Sequence, residues 1–515
     1  MSPQFLEYNC LDAACTLQAR NAFWPDLAIG GFRPAYDMTI DLLPVLSFMQ
    51  TRGIRVDHEA LQATRTEILS SAATKQEELN RLCGRELNVH SSKDCQTYFY
   101  VKLGIPPYYN EGTVTVDDLA LQRLSRGTSK RPGLRQAKLV QDIRGLAKLD
   151  GTYLNLEFDA DGRLRCSYNP RGTKFGRLSS SKTIFGTGTN LQNLPQEFKK
   201  FLISDPGYVF WEVDKRNAEW VVVAYLANDA NMIKVVEDGL DVHTHTASLM
   251  FGVEAEVIQY ENKVIGQNTD QDIIQELRSS DAILAKYCTN FPRSMSGRQA
   301  GKKNNHGRNY GEGDAKYSLI NEVEQSEAKR QGELYFHSYP GIQGTFQEGV
   351  KKQLMKDRSL TNCFGRKVRF MDQWGPDLWK SAYSMLPQSS VVDSLNQGMV
   401  KIYNSANLCG TDGWNIDVLA QVHDSILLQV PISLISTGLV NQHGSTNFSD
   451  IQATVHDLVS PNLHYNGRTF KIATDDKIGK NWGGYNNTSN PQGMRELKNL
   501  SELPQILEAL NVRTT

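Results

Sequence analysis

Two aspartates each end or interrupt an apolar segment, at positions where their carboxylates would point out of the fold. Asp214 ends the run Tyr-Val-Phe-Trp-Glu-Val, and Asp424 lies between the apolar segments 417–422 and 426–430. Two carboxylates at the ends of neighbouring strands can hold two magnesium ions about 4 Å apart, which promote phosphoryl transfer to a hydroxyl. Either aspartate alone is more simply explained as a turn residue. The pair is therefore a hypothesis that depends on the residues around it.

A second feature is a row of side chains spaced four residues apart: Arg298, Lys302, His306 and Tyr310. On a helix this spacing makes one slowly rotating stripe with steps of roughly 6 Å. An arginine and a lysine can bind a triphosphate, and a ring further along can pack against a sugar or a base. Gly311 and Gly313 follow and would let the backbone approach another group closely. The same spacing also fits an exposed basic helix with a satisfied histidine.

Charge is distributed unevenly along the chain. The formal net charge of −1 is mild evidence against a dedicated nucleic-acid binder. Either of two basic segments alone could be a solvated helix face, but together they favour contact with a phosphate backbone. The first segment contains Arg123, Arg126, Lys130, Arg131, Arg135 and Lys138, and the second contains Lys351, Lys352, Lys356, Arg358, Arg366, Lys367 and Arg369.

Length and composition predict a multidomain globular chain. It has 515 residues, of which 40% are hydrophobic and 22% are charged. No apolar run reaches the roughly 18 residues of a membrane helix, and the N-terminus does not resemble a secretory signal. Eight scattered cysteines without a C-x-x-C pair favour reduced thiols over disulfides or a zinc site. We therefore expect a cytoplasmic protein with no membrane partner.

Local patterns predict an α+β protein with helical lobes around a sheet. The predicted helices are 3–22, 42–50, 58–83 with Asp57 as N-cap, and 293–310 despite internal glycines. The predicted strands are 164–168, 208–213 and two short strands within 418–430, which flank a turn at residues 423 and 424. Residues 127–133 are predicted to form a loop tip between helices.

Several motifs, in order, resemble the polymerase region of family A DNA polymerases. Residues 176–180 (GRLSS) and 190–195 (NLQNLP) are similar to one family block, and 214–219 (DKRNAE) is similar to motif A. Arg298, Lys302, Tyr310 and Gly311 match motif B, and residues 421–424 (QVHD) match motif C. Smaller matches extend the resemblance from about residue 42 to residue 482, which is most of the chain. Ordered independent motifs are far more specific than any one of them.

The resemblance implies a right-hand fold with a palm built on an antiparallel sheet and with helical fingers and thumb. The implied activity is template-directed extension of a DNA primer with dNTPs by two-metal phosphoryl transfer, releasing pyrophosphate. The implied cofactor is a pair of Mg²⁺ ions, for which Mn²⁺ can substitute. The expected domains are 1–36 (exonuclease remnant), 37–155 (thumb and its palm connection), 156–220 (palm), 221–372 (fingers), 373–485 (palm) and 486–515 (C-terminal extension).

Family roles transfer to single positions of this sequence. The metal ligands would be Asp214, Asp424 and the carbonyl of Lys215. The residues that hold or select the nucleotide would be Arg298, Lys302, His243, His306, Tyr310, Gly311 and Glu219. Within that set Lys302 would also protonate the leaving pyrophosphate, and Glu219 would exclude a ribose 2′-hydroxyl. The DNA contacts would be Arg177, Gln388, His423, Lys130, Arg131 and Arg135.

The chain also departs from the family pattern. His306 stands where the family has Phe or Tyr, and Ser425 replaces the glutamate of motif C. Ser384 and Lys380 replace the usual asparagine and arginine. The segment between residues 252 and 298 is several times longer than the family norm, which predicts an insertion in the fingers. These departures bear on sugar discrimination and fidelity.

The N-terminal segment is similar to the last motif of the family's 3′–5′ exonuclease, with Tyr8 and Asp12 at the corresponding positions. The other exonuclease carboxylates are not in the sequence, so we expect no proofreading by this chain alone. A separate exonuclease half and a processivity factor are candidate partners beside primer–template DNA. The brevity of the chain suggests a phage replicase, located in the host cytoplasm.

Two other functions remain open. A single-subunit RNA polymerase shares the palm and can carry His-Asp-Ser in motif C, but it needs a small residue where Glu219 stands. A non-catalytic nucleic-acid-binding relative is the other alternative, and the intact Asp214, Asp424, Arg298 and Lys302 argue against it.

Overall fold

The computed structural model describes residues 3–110, 112–127, 131–266, 268, 270–405, 408–409, 415–437, 440–441, 444–445 and 448–511. Lys130, one of the predicted DNA contacts, lies outside the described residues. The α-helices are α1 (Pro3–Ile29), α2 (Arg33–Arg52), α3 (His58–Cys83), α4 (Ser92–Gln96), α5 (Asp118–Arg126), α6 (Arg135–Leu149), α7 (Gln196–Lys199), α8 (Ala218–Leu226), α9 (Ala230–Glu237), α10 (Val242–Phe251), α11 (Ala255–Ile265), α12 (Gln271–Ser280), α13 (Ala282–Tyr287), α14 (Gly297–Asn309), α15 (Asp314–Asn321), α16 (Gln325–Ser338), α17 (Glu348–Asp357), α18 (Pro376–Tyr403), α19 (Ile432–Thr437), α20 (Phe448–Val459) and α21 (Leu503–Ala509).

The strands are β1 (Ile54–Val56), β2 (Tyr108–Asn110), β3 (Thr113–Thr115), β4 (Arg163–Leu164), β5 (Ser167–Asn169), β6 (Ser179–Ser181), β7 (Leu202–Ile203), β8 (Tyr208–Lys215), β9 (Ser359–Thr361), β10 (Lys367–Arg369), β11 (Asp417–Val422), β12 (Ser425–Pro431), β13 (Val440–Asn441), β14 (Gly444–Ser445), β15 (Leu463–Tyr465), β16 (Arg468–Phe470), β17 (Thr474–Gly479) and β18 (Arg495–Leu497). Single π-helical turns occupy Thr97–Lys102, Asp150–Leu154 and Ile342–Gln347, and 3-10 turns occupy Leu191–Asn193 and Leu500–Glu502.

A five-stranded antiparallel sheet, in the order β11-β12-β8-β17-β18, carries the predicted aspartates. Its middle strand, β8, is rich in aromatic and β-branched residues, and Phe210 and Trp211 are fully buried. Helix α20 covers one face, where Phe448 packs against Trp211 with ring centroids 5.1 Å apart. Helices α2 and α18 contribute to the same hydrophobic core. We call this unit the sheet lobe.

Helices α3, α5 and α6 form a lobe with a core of its own, which includes Leu79, Phe99, Leu124 and Val140. We call it the N-terminal helical lobe. Helix α3 begins as predicted, because the Asp57 carboxylate accepts a hydrogen bond from the backbone N–H of Ala60 at 3.0 Å. The two long helices, α3 and α6, pack against each other, and the shorter α5 packs against α6.

Helices α8 to α17 form a third unit, the central helical lobe, on the other side of the sheet edge that carries Asp214. The long segment after residue 252 folds as α11, α12 and α13 around a small core with Ile258, Leu284 and Phe291. Buried Arg278 forms an ion pair with Glu261, whose side chain is fully buried. The predicted extra segment is therefore an ordered helical element.

The main predicted elements are confirmed, but the bounds of three helices differ. The first helix extends to Ile29, and the helix predicted over 42–50 spans Arg33–Arg52. The helix predicted over 293–310 begins at Gly297, where Ser296 accepts a hydrogen bond from Gln299 N at 3.2 Å. The expectation of one strand over 164–168 is wrong. Leu164 pairs with Ile54 whereas Ser167 pairs with Ser181, so the chain passes between two sheets there. Among the described residues, none of the helices is both long and apolar enough to cross a membrane.

Candidate active site

The two predicted metal-binding aspartates meet at one edge of the five-stranded sheet. Asp214 lies next to the end of β8 and pairs in register with Ser425, so Asp424 precedes its partner by one residue. The backbone N–H of Lys215 donates a hydrogen bond to the carbonyl of Asp424 at 3.1 Å. The turn between β11 and β12 places His423 at φ 56°. A left-handed non-glycine residue in this tight turn is the kind of strain that recurs at functional sites.

Electrostatics at this edge favour a bound cation. Burial, together with the charge of Asp424, raises the pKa of Asp214 to about 7, and burial also raises the pKa of Asp424. The Nζ of Lys477 lies 3.9 Å from an Asp214 carboxylate oxygen and supplies part of the compensating charge. The side chain of Lys215 is buried against Ser394, and burial lowers its pKa to about 7. Ionisation of both Asp214 and Asp424 is therefore unfavourable unless a cation lies close to them.

Helix α14 carries the predicted stripe and lies across from these aspartates. A side chain at residue 301 would collide with the carbonyl oxygen of His243 and would approach the Ala247 nitrogen to 3.0 Å. Gly301 therefore allows α10 and α14 to pack backbone against backbone. Glycine has a low helix propensity, and this contact explains why it nevertheless occurs inside α14.

One cavity of about 440 Å³ joins the aspartates to the stripe. Its walls include nine of the predicted site residues, which are Asp214, Lys215, Glu219, His243, Arg298, Lys302, His306, Tyr310 and Asp424. The walls combine carboxylates with cationic side chains, and both are needed to bind a metal–triphosphate group.

The Glu219 carboxylate is fixed between two of the predicted site residues. It accepts hydrogen bonds from the Tyr310 hydroxyl and from the Arg177 guanidinium, one on each oxygen. Burial and the charge of Glu219 hold the pKa of Tyr310 well above its ordinary value, so the phenol remains a donor. Arg177, predicted to contact DNA, is thus also a support for Glu219.

Asn305 is a site residue that the sequence did not reveal. Its Oδ1 accepts hydrogen bonds from Trp220 Nε1, Thr246 Oγ1 and Tyr335 OH at 3.0, 2.9 and 2.9 Å. The Nδ2 atom must therefore face His243 Nδ1, which lies 3.0 Å away. It follows that Nδ1 accepts a hydrogen bond and that the ring proton is on Nε2. Burial, helped by the charge of Arg298, lowers the pKa of His243 to about 3, so the imidazole is neutral.

Asp241 is a second unpredicted partner in the cavity. Its carboxylate caps α10 and binds Arg298, with Nε–Oδ2 and Nη2–Oδ1 distances of 2.5 and 3.1 Å. Burial pushes the pKa of Asp241 upward, but hydrogen bonds from Arg298 and Thr244 outweigh this effect and leave the pKa below its ordinary value. To bind a triphosphate, Arg298 would either contact it while still paired with Asp241 or release Asp241.

A second groove, of about 610 Å³, lies between α14 and α18 and shares Lys302, His306 and Tyr310 with the first cavity. Gln388 lines it together with Lys380 and Ser384, two of the departures from the family pattern. Gly311 has φ +77°, and a side chain there would come within 3.3 Å of the Tyr383 ring. Glycine is therefore needed where α14 ends and the two grooves meet.

The remaining predicted residues lie apart from the cavity. Arg135 forms an ion pair with Glu78 at 3.1 Å, and the Nε and Nη2 atoms of Arg131 are buried. Tyr8 and Asp12 lie on α1, which has no buried residue. Within the second basic segment, Arg366 is buried in an ion pair with Asp393 at 2.8 Å and is structural.

Comparisons with known proteins show the family and the fold to which this chain is similar. The model of the DNA polymerase family A matches residues 58–269 and 267–440. The chain is 28% identical to the thermostable DNA polymerase I of Thermus thermophilus, over 75% of this chain and 42% of the relative. It is 27% identical to DNA polymerase I of Rhizobium leguminosarum over 82% of this chain and 39% of the relative. It therefore spans less than half the length of these curated relatives.

Among solved structures, the fold is similar to the POL domain of Pol1 from M. smegmatis, which was determined in complex with DNA primer-template and dNTP. The TM-score is 0.67 at 21% identity, and the match covers 86% of this chain and 70% of that one. This likeness concerns the fold. Because the family model matches most of the chain, the protein belongs to DNA polymerase family A.

Proposed function

We propose that this chain is a DNA-directed DNA polymerase that extends a primer 3′ end with dNTPs and releases pyrophosphate. The observation that carries the proposal is the shared cavity, in which Asp214 and Asp424 face the cationic stripe of α14. A protein that only bound nucleic acid would need the cationic side chains. It would not need two buried carboxylates that repel each other in the same cavity. The primer–template and the dNTP are the corresponding partners.

The donor set fits two divalent magnesium ions. Asp214 and Asp424 supply carboxylate oxygens, and the carbonyl of Lys215 is the predicted additional ligand. Such ions would stabilise the charge that develops on the attacking and leaving oxygens. A cation bound there would offset the repulsion between the two carboxylates, which together with burial raises the pKa of Asp214.

The other residues of the cavity bind and orient the nucleotide. Lys302 and Arg298 supply positive charge, and neutral His243 supplies a ring N–H donor without adding charge. Lys302 is the candidate proton donor to pyrophosphate. Glu219, held by Tyr310 and Arg177, is the candidate steric gate against a ribose 2′-hydroxyl.

We infer that the sheet lobe is the palm, the central helical lobe the fingers and the N-terminal helical lobe the thumb. Two-metal chemistry, the domain limits and the remnant exonuclease motif on α1 remain predictions. The same holds for a phage origin, a host-cytoplasmic location, and an exonuclease half or processivity factor as partner.

Primer extension under single-turnover conditions tests the catalytic pair. Asp214→Ala and Asp424→Ala should each lower the rate roughly 10³-fold or more while primer–template binding persists. Asp475→Asn is the matched control, because this carboxylate lines the same cavity and pairs in register with Asp214 but binds Arg216. Near-normal rates in either alanine variant would remove the proposed metal site.

Competition between ribonucleotides and deoxynucleotides tests the gate. Glu219→Ala should increase relative ribonucleotide incorporation, because it removes both the blocking group and the partner of Tyr310. Tyr310→Phe keeps the carboxylate and removes one of its supports, so its effect should be smaller. An unchanged ratio in Glu219→Ala would assign discrimination to another residue, with His306 the first candidate.

A further inference from the structure

The N-terminal and central helical lobes touch each other away from the sheet lobe. At the end of α5, Arg126 Nη2 lies 2.5 Å from Glu322 Oε1 and 3.0 Å from Ser294 Oγ. The Arg126 side chain is 18% exposed and that of Glu322 is 7% exposed. This is a nearly buried ion pair that joins the two lobes directly.

The central-lobe side of this contact is preorganised. The Glu322 carboxylate accepts hydrogen bonds from the backbone N–H groups of Arg293 and Ser294 at 3.0 and 3.2 Å, and from the Ser294 hydroxyl. A second, looser contact joins Lys138 of α6 to Asp270, the N-cap of α12, at 3.9 Å. Ser294 and Asp270 belong to the extra helical segment, whereas Glu322 follows α15, so both parts of the central lobe reach the N-terminal lobe.

Beneath these contacts lies a cavity of about 1150 Å³, bounded by all three lobes. Among its lining residues, six are cationic and four are acidic. The cationic residues are Lys75, Arg126, Arg135, Lys138, Lys148 and Arg293. Four of them are held in ion pairs, Arg126 with Glu322, Arg135 with Glu78, and Lys75 and Lys138 with Asp142. A polyanion such as DNA is the occupant that would bind these cations when it displaces their carboxylate partners.

The cavity adjoins the catalytic edge of the sheet. Asn193 and Tyr153 form part of its wall and are joined by a hydrogen bond of 3.0 Å. The preceding residue, Gln192, donates to the carbonyl of Gln421 at 2.5 Å and accepts from His423 N–H at 3.4 Å. A duplex whose primer end is at Asp424 would therefore leave through this space.

The Arg126–Glu322 contact spans this space between the N-terminal and central helical lobes. DNA with a free end could thread beneath the contact, whereas DNA without a free end could enter only if the contact opens.

We propose that Arg126, Glu322 and Ser294 form a gate between the thumb and the fingers that opens to admit primer–template and then closes over it, so that the enzyme encloses the DNA. The inference rests on the proposed function, since it takes DNA as the occupant. Enclosure would reduce dissociation without adding base-specific contacts. It gives the extra helical segment of the fingers a role in retaining DNA.

A cysteine pair across the gate tests the proposal. The variant carries Arg126→Cys and Ser294→Cys, with exposed Cys10 and Cys15 changed to Ser. A flexible bis-maleimide that spans the length of the lost guanidinium joins the pair, either before or after addition of DNA. The DNA is a primed single-stranded circle or the same molecule linearised, and the readout is the fraction that stays on immobilised protein in high salt.

Cross-linking after loading should retain the circle at least about tenfold better than the linear form, because only a circle cannot slide out. Cross-linking before loading should prevent the circle from binding. Equal release of both DNA forms, or unimpaired loading after prior cross-linking, would overturn the gate. Single-cysteine variants treated in the same way are the control.

Two further measurements separate the gate from the proposed function. If wild-type protein does not bind or extend the primed circle, the polymerase proposal has failed rather than the gate. If the first pair impairs folding, Lys138→Cys with Asp270→Cys bridges the second contact and must give the same circle-selective retention. Loss of selectivity in that pair, with DNA binding intact, also refutes enclosure.

Discussion

The buried Glu261–Arg278 pair offers the sharpest test of how the extra helical segment supports the catalytic helix. Glu261 Oε1 accepts from Arg278 Nε at 3.0 Å and from Nη2 at 2.5 Å, and Oε2 accepts from Gly297 N–H at 3.0 Å. Gly297 is the first residue of α14. One carboxylate therefore ties α11, α12 and the start of the helix that carries Arg298.

Replacing Glu261 by alanine leaves a buried guanidinium without its counter-charge. Loss of one partner of such a pair destabilises by about 3–5 kcal/mol. Arg278 keeps two carbonyl acceptors, Pro292 at 2.7 Å and Met295 at 2.8 Å, so the lower end of this range applies. About 3 kcal/mol corresponds to roughly a 150-fold rise in local opening.

Native-state hydrogen exchange measures this local opening, since a chain with several lobes need not unfold in two states. Glu261→Ala should lower amide protection in α11 to α14 by on the order of 100-fold. Glu256→Ala, at an exposed position of α11, should change it little. The double variant Glu261→Met with Arg278→Met should recover much of the protection, because it leaves no unpaired buried charge. Equal protection in Glu261→Ala and Glu256→Ala would refute the reasoning.

Three other predictions follow from the cavity. Gly301→Val should separate α10 from α14 and raise the KM for dNTP roughly tenfold or more. Gly313→Ala is the control and should leave the KM unchanged, because a Cβ at residue 313 would meet no atom within 4 Å. Equal KM values in the two variants would contradict the packing of α10 against α14. Asn305→Asp should raise the pKa of His243 from about 3, measured by NMR titration, because a carboxylate favours the imidazolium. An unchanged titration would contradict the contact between the two side chains. Burial lowers the pKa of His306, so the imidazole is neutral at pH 7 and gains charge only as the pH falls below about 6.5. The ratio of dideoxy to deoxy incorporation should therefore be constant from pH 7 to 8 and shift only at lower pH. A shift in this ratio above pH 7 would contradict the neutral state of His306.

The sequence by itself determined the features that depend on local spacing. The four-residue interval from Arg298 to Tyr310 required a helix, and the apolar runs around Asp214 and Asp424 required strands that end at carboxylates. Motif order was enough to identify the family and its α+β fold. These features are readable because helix and strand periods are properties of neighbouring residues.

Contacts between distant segments were decided only by the tertiary structure. The position of Asn305 in the sequence does not predict the three donors that orient its amide, because Trp220, Thr246 and Tyr335 belong to other helices. Equally, Arg126 belongs to a basic segment that the sequence assigned to phosphate contact, yet it pairs with Glu322 across the cleft. Charge patterns along a chain indicate which groups are present, whereas the partner of each charge depends on which lobes the fold brings together.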